Sequence, residues 1–271
     1  MTRTWFPLLA TVALTLTLAP AAAAQPDDAA ISLAEPDFSL VSLPTSLRVP
    51  QFKGAFRVTH RFARPLGQGD FSSLVEDLFG IDAGAQIGLE FRFGLVPGGQ
   101  IGFHRTNDKT IQFFGQYGVI RQGDGSPLDV SVIAAIDGTN NFKDSYSPSL
   151  GAIVSRKIGD VAALYVEPMW INNTNDLPSQ LVDDNDTFMI GLGARVRIRP
   201  TVYLVGELAP RPSGYKPGVN HASFAVEKRA GGHTFQLNFS NSFATTRRQL
   251  GLGGSSNDDW YLGFNISRKF F

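Results

Sequence analysis

The chain has 271 residues, and its 24 basic residues balance its 24 acidic residues, so that the formal net charge is zero. This balance argues against nucleic acid as a partner, because nucleic-acid binding calls for a basic surface. The absence of cysteine excludes disulfides, thiolate metal sites and a lipid-anchored N-terminus.

Residues 1–24 have the pattern of a secretory signal peptide. Arg3 supplies positive charge, an apolar core runs from Phe6 to Leu18, and Ala22–Ala24 offer a small-residue cleavage site. A membrane anchor is the alternative, but the apolar stretch has about 13 residues, and a spanning helix needs roughly 20. We therefore predict cleavage and export.

Residues 25–50 are rich in proline, serine and acidic residues and show no sustained periodicity. This composition predicts a flexible periplasmic arm. From Lys53 onward the pattern changes to alternating apolar and polar residues, which predicts strands. We therefore assign 51–271 to an outer-membrane β-barrel.

Twelve strands follow from this alternation, and we predict an antiparallel transmembrane barrel. The predicted strands are 53–63, 84–96, 100–106, 110–121, 128–137, 147–157, 161–172, 187–199, 201–209, 221–229, 233–243 and 259–270.

The predicted connections alternate between short and long, as they do in barrels with short periplasmic turns and longer external loops. The short ones are 97–99, 122–127, 158–160, Pro200 and 230–232. Those on the other side are 64–83, 107–109, 138–146, 173–186, 210–220 and 244–258, of which 107–109 is short. A soluble β-sandwich, the architectural alternative, has no reason to alternate in this way.

The first external loop contains a predicted short helix at 70–80, with Asp70 as a possible N-cap and Gly80 as its end. One interpretation is a cap or constriction over the barrel, and the other is an amphipathic turn on its rim. The candidate constriction residues are Phe71, Leu74, Leu78 and Phe79.

The strand at 187–199 sets the predicted register. An arginine facing lipid costs about 2 to 4 kcal/mol near the middle of a membrane. We therefore expect Arg195 and Arg197 to face the interior, and Leu192 and Val196 to face lipid.

The same register predicts an interior of mixed charge. It either forms a polar pore for small hydrophilic solutes or is filled by side chains that pair with one another. The candidate lumen residues are Arg57, Arg61, Glu90, Arg92, His104, Gln112, Gln116, Asp129, Glu167, Arg195, Arg197, Glu207, Glu227, Gln236, Asn238 and Asn265.

The sequence offers little for catalysis. His60 faces lipid in the predicted register and is the one candidate for a wall-mounted hydrolase, but no serine flanks it at the required parity. The other histidines lack metal-ligand spacing, and no phosphate-binding loop is present. We therefore predict no catalytic residues, no metal and no cofactor.

Four segments resemble the membrane-bound β-barrel family known as domain of unknown function 5777. They are Phe56–Phe62, Leu78–Asp82, Ile87–Phe91 and Lys109–Gln122. The resemblance extends over roughly 45–270 and is strongest before residue 125. It implies an outer-membrane barrel and no particular activity.

Our leading hypothesis is a small passive channel or solute-binding barrel. The alternatives are a structural or partner-docking barrel and, third, a lipid-modifying enzyme. Expected partners are outer-membrane lipid, a small hydrophilic solute for the channel hypothesis, and the barrel-assembly machinery, which would recognise the terminal strand through Phe270 and Phe271.

Overall fold

The computed structural model describes residues 32–76, 84–175 and 185–271, in which twelve antiparallel strands form a closed barrel. Each strand pairs with its neighbour in sequence, and β1 pairs with β12 to complete the ring. The predicted architecture is therefore confirmed. The strands are β1 (Gly54–Pro65), β2 (Ala85–Val96), β3 (Gly99–Thr106), β4 (Ile111–Ile120), β5 (Asp129–Gly138), β6 (Asp144–Ile158), β7 (Ala162–Ile171), β8 (Thr187–Arg199), β9 (Val202–Ala209), β10 (His221–Ala230), β11 (His233–Ser240) and β12 (Tyr261–Lys269).

Alternation along each strand separates an apolar outside from a polar inside. In β8, Leu192 and Val196 are 40% and 38% exposed, whereas Arg195 is fully buried. This is the predicted register. The exposed side chains are those that hydrocarbon solvates, and the charged side chains lie where other polar groups can satisfy them.

The barrel has two different ends. At the first, which we call the short-turn end, β1 begins, β12 ends, and brief turns such as 97–98 and 231–232 join the strands. The opposite end, which we call the long-loop end, carries three short helices among the described residues. These are α1 (Phe71–Glu76), α2 (Thr139–Phe142) and α3 (Arg247–Leu252).

Helix α1 lies in the loop where the sequence predicts a helix, and Asp70 caps it by accepting the Ser73 N–H at 2.9 Å. The predicted constriction does not form at Phe71, because 72% of its surface is exposed. Leu78 and Phe79 lie outside the described residues, and the side chain of Leu74 is not described.

The N-terminal region differs most from expectation. The predicted signal peptide, 1–24, lies outside the described residues, as does the first part of the predicted arm. Residues 32–50 do not form a flexible arm in the periplasm, since they run inside the barrel and nearly all of them are buried.

Candidate functional site

The candidate site is the interior of the barrel, where the predicted lumen residues meet. All of these residues are buried except Arg197, which is half-buried near the short-turn end. The buried ones are Arg57, Arg61, Glu90, Arg92, His104, Gln112, Gln116, Asp129, Glu167, Arg195, Glu207, Glu227, Gln236, Asn238 and Asn265.

Residues 32–50 form a hairpin that occupies this interior, and we call it the N-terminal hairpin. It enters from the short-turn end and reverses direction at 40–43. The Leu40 N–H donates to the Leu43 carbonyl at 2.8 Å, and Ser39 pairs with Pro44 as an antiparallel bridge. Its tip therefore lies deep in the barrel.

Glu207 of β9 holds the tip of the hairpin. Its Oε2 accepts the backbone N–H groups of residues 41–43, each at 3.0 Å. Its Oε1 lies 2.9 Å from His221 Nε2 and accepts the Ser223 hydroxyl at 2.8 Å. Because a buried carboxylate is costly unless its oxygens are bonded, these five contacts make the charge tolerable and fix the tip at the same time.

Two arginines of the wall bind carbonyl groups of the hairpin backbone. Arg195 of β8 donates to the Ser39 carbonyl at 2.7 Å and pairs with Glu227 at 3.0 Å. Arg57 of β1 donates to the Val41 carbonyl. Carbonyls that a sheet would otherwise satisfy are thus satisfied by charged side chains of the wall.

Amide side chains of the wall extend this pattern along the hairpin. Each bonds a buried backbone group of the hairpin. The pairs are Gln236 with the Leu40 carbonyl (3.0 Å), Asn265 with the Val41 carbonyl (3.0 Å), Gln116 with the Thr45 carbonyl (2.9 Å) and Gln100 Oε1 with the Val49 N–H (3.1 Å).

Acidic side chains of the hairpin also bond to the wall. Asp37 accepts the Ser267 hydroxyl at 2.7 Å and lies 3.4 Å from the Lys269 ammonium group. Glu35 accepts the Tyr165 hydroxyl at 2.8 Å. The hairpin is therefore anchored in two ways: its own carboxylates bond to the wall, and a carboxylate of the wall bonds to its backbone.

One wall of the interior is apolar and packs against the hairpin. Gly191 and Gly193 of β8 leave room for Leu43 and Leu40, whose side chains lie where a Cβ would stand on each glycine. Both leucines are fully buried. The apolar side chains of the wall in this cluster are Ile133, Ile153, Met169, Ile171 and Met189.

A second segment enters from the long-loop end and ends in helix α3. Thr246 and Gln249 form a capping box at its start. The backbone N–H of Arg248 donates to Asp137 of β5 at 2.9 Å, and Leu250 is fully buried. This loop therefore packs into the barrel rather than extending away from it.

The two segments meet inside the barrel. The Ser42 hydroxyl at the tip of the hairpin donates to the Ala244 carbonyl at 2.7 Å, and Arg247 Nη1 donates to the Ser42 carbonyl at 3.4 Å. The structure thus shows an interior filled from both ends by two segments of the chain, whereas the sequence interpretation of a filled lumen attributed the filling to wall side chains that pair with one another.

Three side chains inside the barrel are arranged like a catalytic triad, with Ser242 in the place of the nucleophile, His221 in that of the base and Glu207 in that of the acid. His221 Nδ1 lies 2.6 Å from the Ser242 hydroxyl, and its Nε2 faces Glu207. However, His221 is fully buried, Ser242 is 5% exposed, and Glu207 is bonded to the hairpin backbone. We therefore interpret the three as an anchor for the hairpin.

His60 lies on the outer wall, as predicted. Its ring stacks on Phe264 with centroids 4.7 Å apart and contacts Phe62 at 4.5 Å. Aromatic contacts account for this environment, and it offers His60 the packing of a lipid-facing residue rather than the partners of a catalytic base.

Two parts of the site were missed by the sequence interpretation. Strand parity places Asp137, Tyr165 and His221 inside and could have added them to the candidate set. The N-terminal hairpin gave no periodic signal, because its order comes from side chains of distant strands.

A family model described as a membrane-bound β-barrel domain (DUF5777) matches residues 38–270. No curated protein matches the sequence. None of the helices in the described part of the chain has the length and apolar character needed to cross a membrane.

Solved structures with a similar fold are outer-membrane barrels. A KdgM porin in complex with disordered oligogalacturonate has a TM-score of 0.50 and 7% identity, covering 81% of this chain and 99% of that one. The NanC porin has a TM-score of 0.49 and 10% identity, with coverage of 81% and 99%. Outer membrane phospholipase A from Escherichia coli has a TM-score of 0.47 and 10% identity, with coverage of 88% and 98%.

Proposed function

We propose that this chain, which belongs to the family of membrane-bound β-barrel domains (DUF5777), is a porin-like outer-membrane channel that its own N-terminal hairpin holds closed at rest. The observation that carries the proposal is the way the hairpin is held. Side chains of the wall bind the backbone of the hairpin, whereas backbone hydrogen bonds between paired strands hold the barrel together.

This difference supports a hairpin that can leave while the barrel stays intact. The twelve strands pair with one another in a continuous ring, and residues 32–50 belong to none of these ladders. Release therefore breaks side-chain hydrogen bonds that water can replace and separates Leu40 and Leu43 from the apolar wall, and it leaves every strand pair in place.

Away from the apolar wall of β5–β8, the vacated interior has the chemistry of a polar pore. Strands spaced about 4.8 Å apart and tilted by about 40° give a twelve-stranded barrel a backbone radius of about 12 Å. Arg57 and Arg195 face the space that the hairpin leaves, as does Glu207. Opposed charges of this kind favour small hydrophilic solutes over apolar ones.

A reversible crosslink between the hairpin and the wall tests the proposal. The hydroxyls of Ser46 in the hairpin and Ser155 in β6 lie 2.6 Å apart, and the chain has no native cysteine to interfere. In planar bilayers, we expect the Ser46→Cys/Ser155→Cys variant to be silent when oxidised and to show conductance steps after reduction. Each single cysteine variant is the control and should show the same frequency of conductance steps as the full chain under both conditions.

Deletion of residues 32–50 gives the complementary measurement. A deletion variant that keeps the barrel, as judged by its gel migration without heating, should conduct more often than the full chain. The channel proposal is overturned if this folded variant is electrically silent.

A non-transporting closed barrel is the second candidate. It is favoured by the contact between the hairpin and the α3 loop through Ser42 and Ala244, because opening then requires two segments to move. Silence of the deletion variant contradicts the first candidate, and silence of a variant in which the α3 loop is also shortened supports this one.

We also propose how the chain reaches its membrane. Residues 1–24 direct export, and the barrel-assembly machinery binds the two residues that follow β12. Phe270 is 49% exposed and Phe271 is 37% exposed, which supports a signal that another protein can contact. Removal of both residues should lower the amount of barrel in outer-membrane fractions without lowering secretion into the periplasm.

A further inference from the structure

The outer wall over β10–β12 contains a groove of about 530 Å³. Its apolar lining consists of alternate, outward-facing residues of the three strands. The apolar lining side chains are Val226, Phe235, Leu237, Phe264 and Ile266. A groove in a wall that hydrocarbon solvates has the right chemistry for an acyl chain.

Basic side chains mark the short-turn end of this groove. Lys228 is exposed and lines the groove itself, and Arg268 of β12 is also exposed. Arg268 Nη1 lies 2.8 Å from His233 Nε2, which holds the guanidinium beside the groove. Lys228 and Arg268 are separated by two strand spacings across the sheet and by two residues along it, so their Cα atoms lie about 12 Å apart. Two side chains of this length can both reach a single phosphate group placed between them.

A second groove of the outer wall lacks this combination. This larger groove of about 780 Å³ lies over β2–β5, and its lining, which includes Phe91, Phe103 and Phe113, contains no charged residue. That groove offers hydrocarbon contacts without a partner for a headgroup.

We propose that the β10–β12 groove is a binding site for one anionic phospholipid of the surrounding membrane. An acyl chain lies along Val226, Leu237 and Phe264, and the phosphate binds between Lys228 and Arg268. Barrels of this kind place their short turns toward the periplasm, so the lipid belongs to the periplasmic leaflet. Basic residues at this level cost little and attract anionic headgroups.

Native mass spectrometry of the detergent-solubilised full chain tests this site. The probes are phosphatidylglycerol and phosphatidylethanolamine with identical acyl chains. We expect the chain to retain one phosphatidylglycerol in preference to phosphatidylethanolamine. In the Lys228→Gln/Arg268→Gln variant, affinity for phosphatidylglycerol should fall by roughly tenfold or more, and the preference should disappear.

Two further variants separate the site from general attraction to lipid. Arg105→Gln removes an exposed arginine at the opposite end of the barrel, where it bonds Asn141, and should leave the preference unchanged. Val226→Trp fills the groove without changing charge and should lower binding of both lipids. Equal binding of the two lipids by the unmodified chain overturns the proposal, as does an Arg105→Gln variant that loses the preference to the same degree as the double variant.

Discussion

At the scale of single residues, Glu207 combines two roles that are usually separate. It is a buried charge of the wall, and it also serves as the main acceptor for backbone N–H groups of the hairpin tip. A charged acceptor forms stronger hydrogen bonds than a neutral one. The stability of the hairpin should therefore depend on this one carboxylate more than on any single apolar contact.

Replacement of Glu207 by glutamine keeps the size of the side chain and removes its charge. We expect the hairpin to lose about 2 to 4 kcal/mol of stability against local opening, because three backbone donors lose a charged acceptor. Hydrogen exchange of the amides of residues 38–48 measures this change. Glu76→Gln, on the exposed end of α1, is the matched control, and equal protection in both variants would contradict the role given to Glu207.

Asp108, in the turn between β3 and β4, links that turn to α3 through a 3.0 Å bond from the side chain of Gln249. Although burial by itself raises the pKa of Asp108, hydrogen bonds from Thr106 and Thr110 hold this pKa below its ordinary value of 3.8. A depressed pKa means that the folded state favours the carboxylate. Its contribution to stability is therefore present above pH 3.8 and is lost as the pH falls through the lower folded value.

The sign of this linkage can be measured with Asp108→Asn. The variant should unfold at a lower temperature than the unmodified chain near neutral pH, and the gap should close as the pH falls below about 4. Thermal unfolding followed by circular dichroism between pH 3 and pH 7 gives both curves. A gap that widens in acid would show that Asp108 does not stabilise the fold as a carboxylate.

At the scale of elements, alternation predicted the strands well because each strand has one lipid face and one interior face. In β8 the three arginines fix the inward side, and a shift by one residue would place them in hydrocarbon. Helix α3 also has a readable signal, since Thr246 and Gln249 have capping-box spacing. The N-terminal hairpin has no equivalent signal, because its partners are distant in sequence and many of them bind its backbone.

The packing of the hairpin against the wall can be tested by adding side-chain volume to the wall and removing it from the hairpin. Gly193→Leu places a side chain in the space of Leu40, and we expect overpacking to weaken the hairpin by about 1 to 3 kcal/mol. Adding Leu40→Ala to that variant should recover part of the loss, as a double-mutant cycle of hydrogen exchange would show.

Gly206→Leu is the control for this exchange. Gly206 lies on the outward parity of β9, and a Cβ there meets nothing within 4 Å. We expect no effect on the hairpin. If Gly206→Leu and Gly193→Leu weakened protection equally, the loss would reflect the bulk added to the sheet rather than contact with Leu40.

At the scale of the whole molecule, closure of the ring determines stability against denaturants. The seam between β1 and β12 runs over seven consecutive register pairs, from Ala55 to Arg61. Because the seam satisfies the backbone groups of both terminal strands, the barrel presents no edge on which another chain could add. Unfolding must therefore break the whole ring cooperatively.

Gel migration makes this cooperativity visible. In sodium dodecyl sulfate without heating, the full chain should remain folded and migrate faster than the boiled sample. The same shift should persist in the hairpin deletion variant, because the ladders do not include the hairpin. Identical migration of heated and unheated samples would contradict a closed barrel that resists the detergent.

The position of the hairpin at the start of the domain also bears on the order of events during folding. Val41 and Glu207 are 166 residues apart, so the tip waits for most of the chain before it meets its acceptor. Contacts of such long range make folding slow. The hairpin touches both β1, through Arg57, and β12, through Asn265, so its full set of contacts exists only when the two terminal strands are paired. Closure of the ring and docking of the hairpin are therefore linked, and a chain that cannot close its ring cannot hold its own N-terminus.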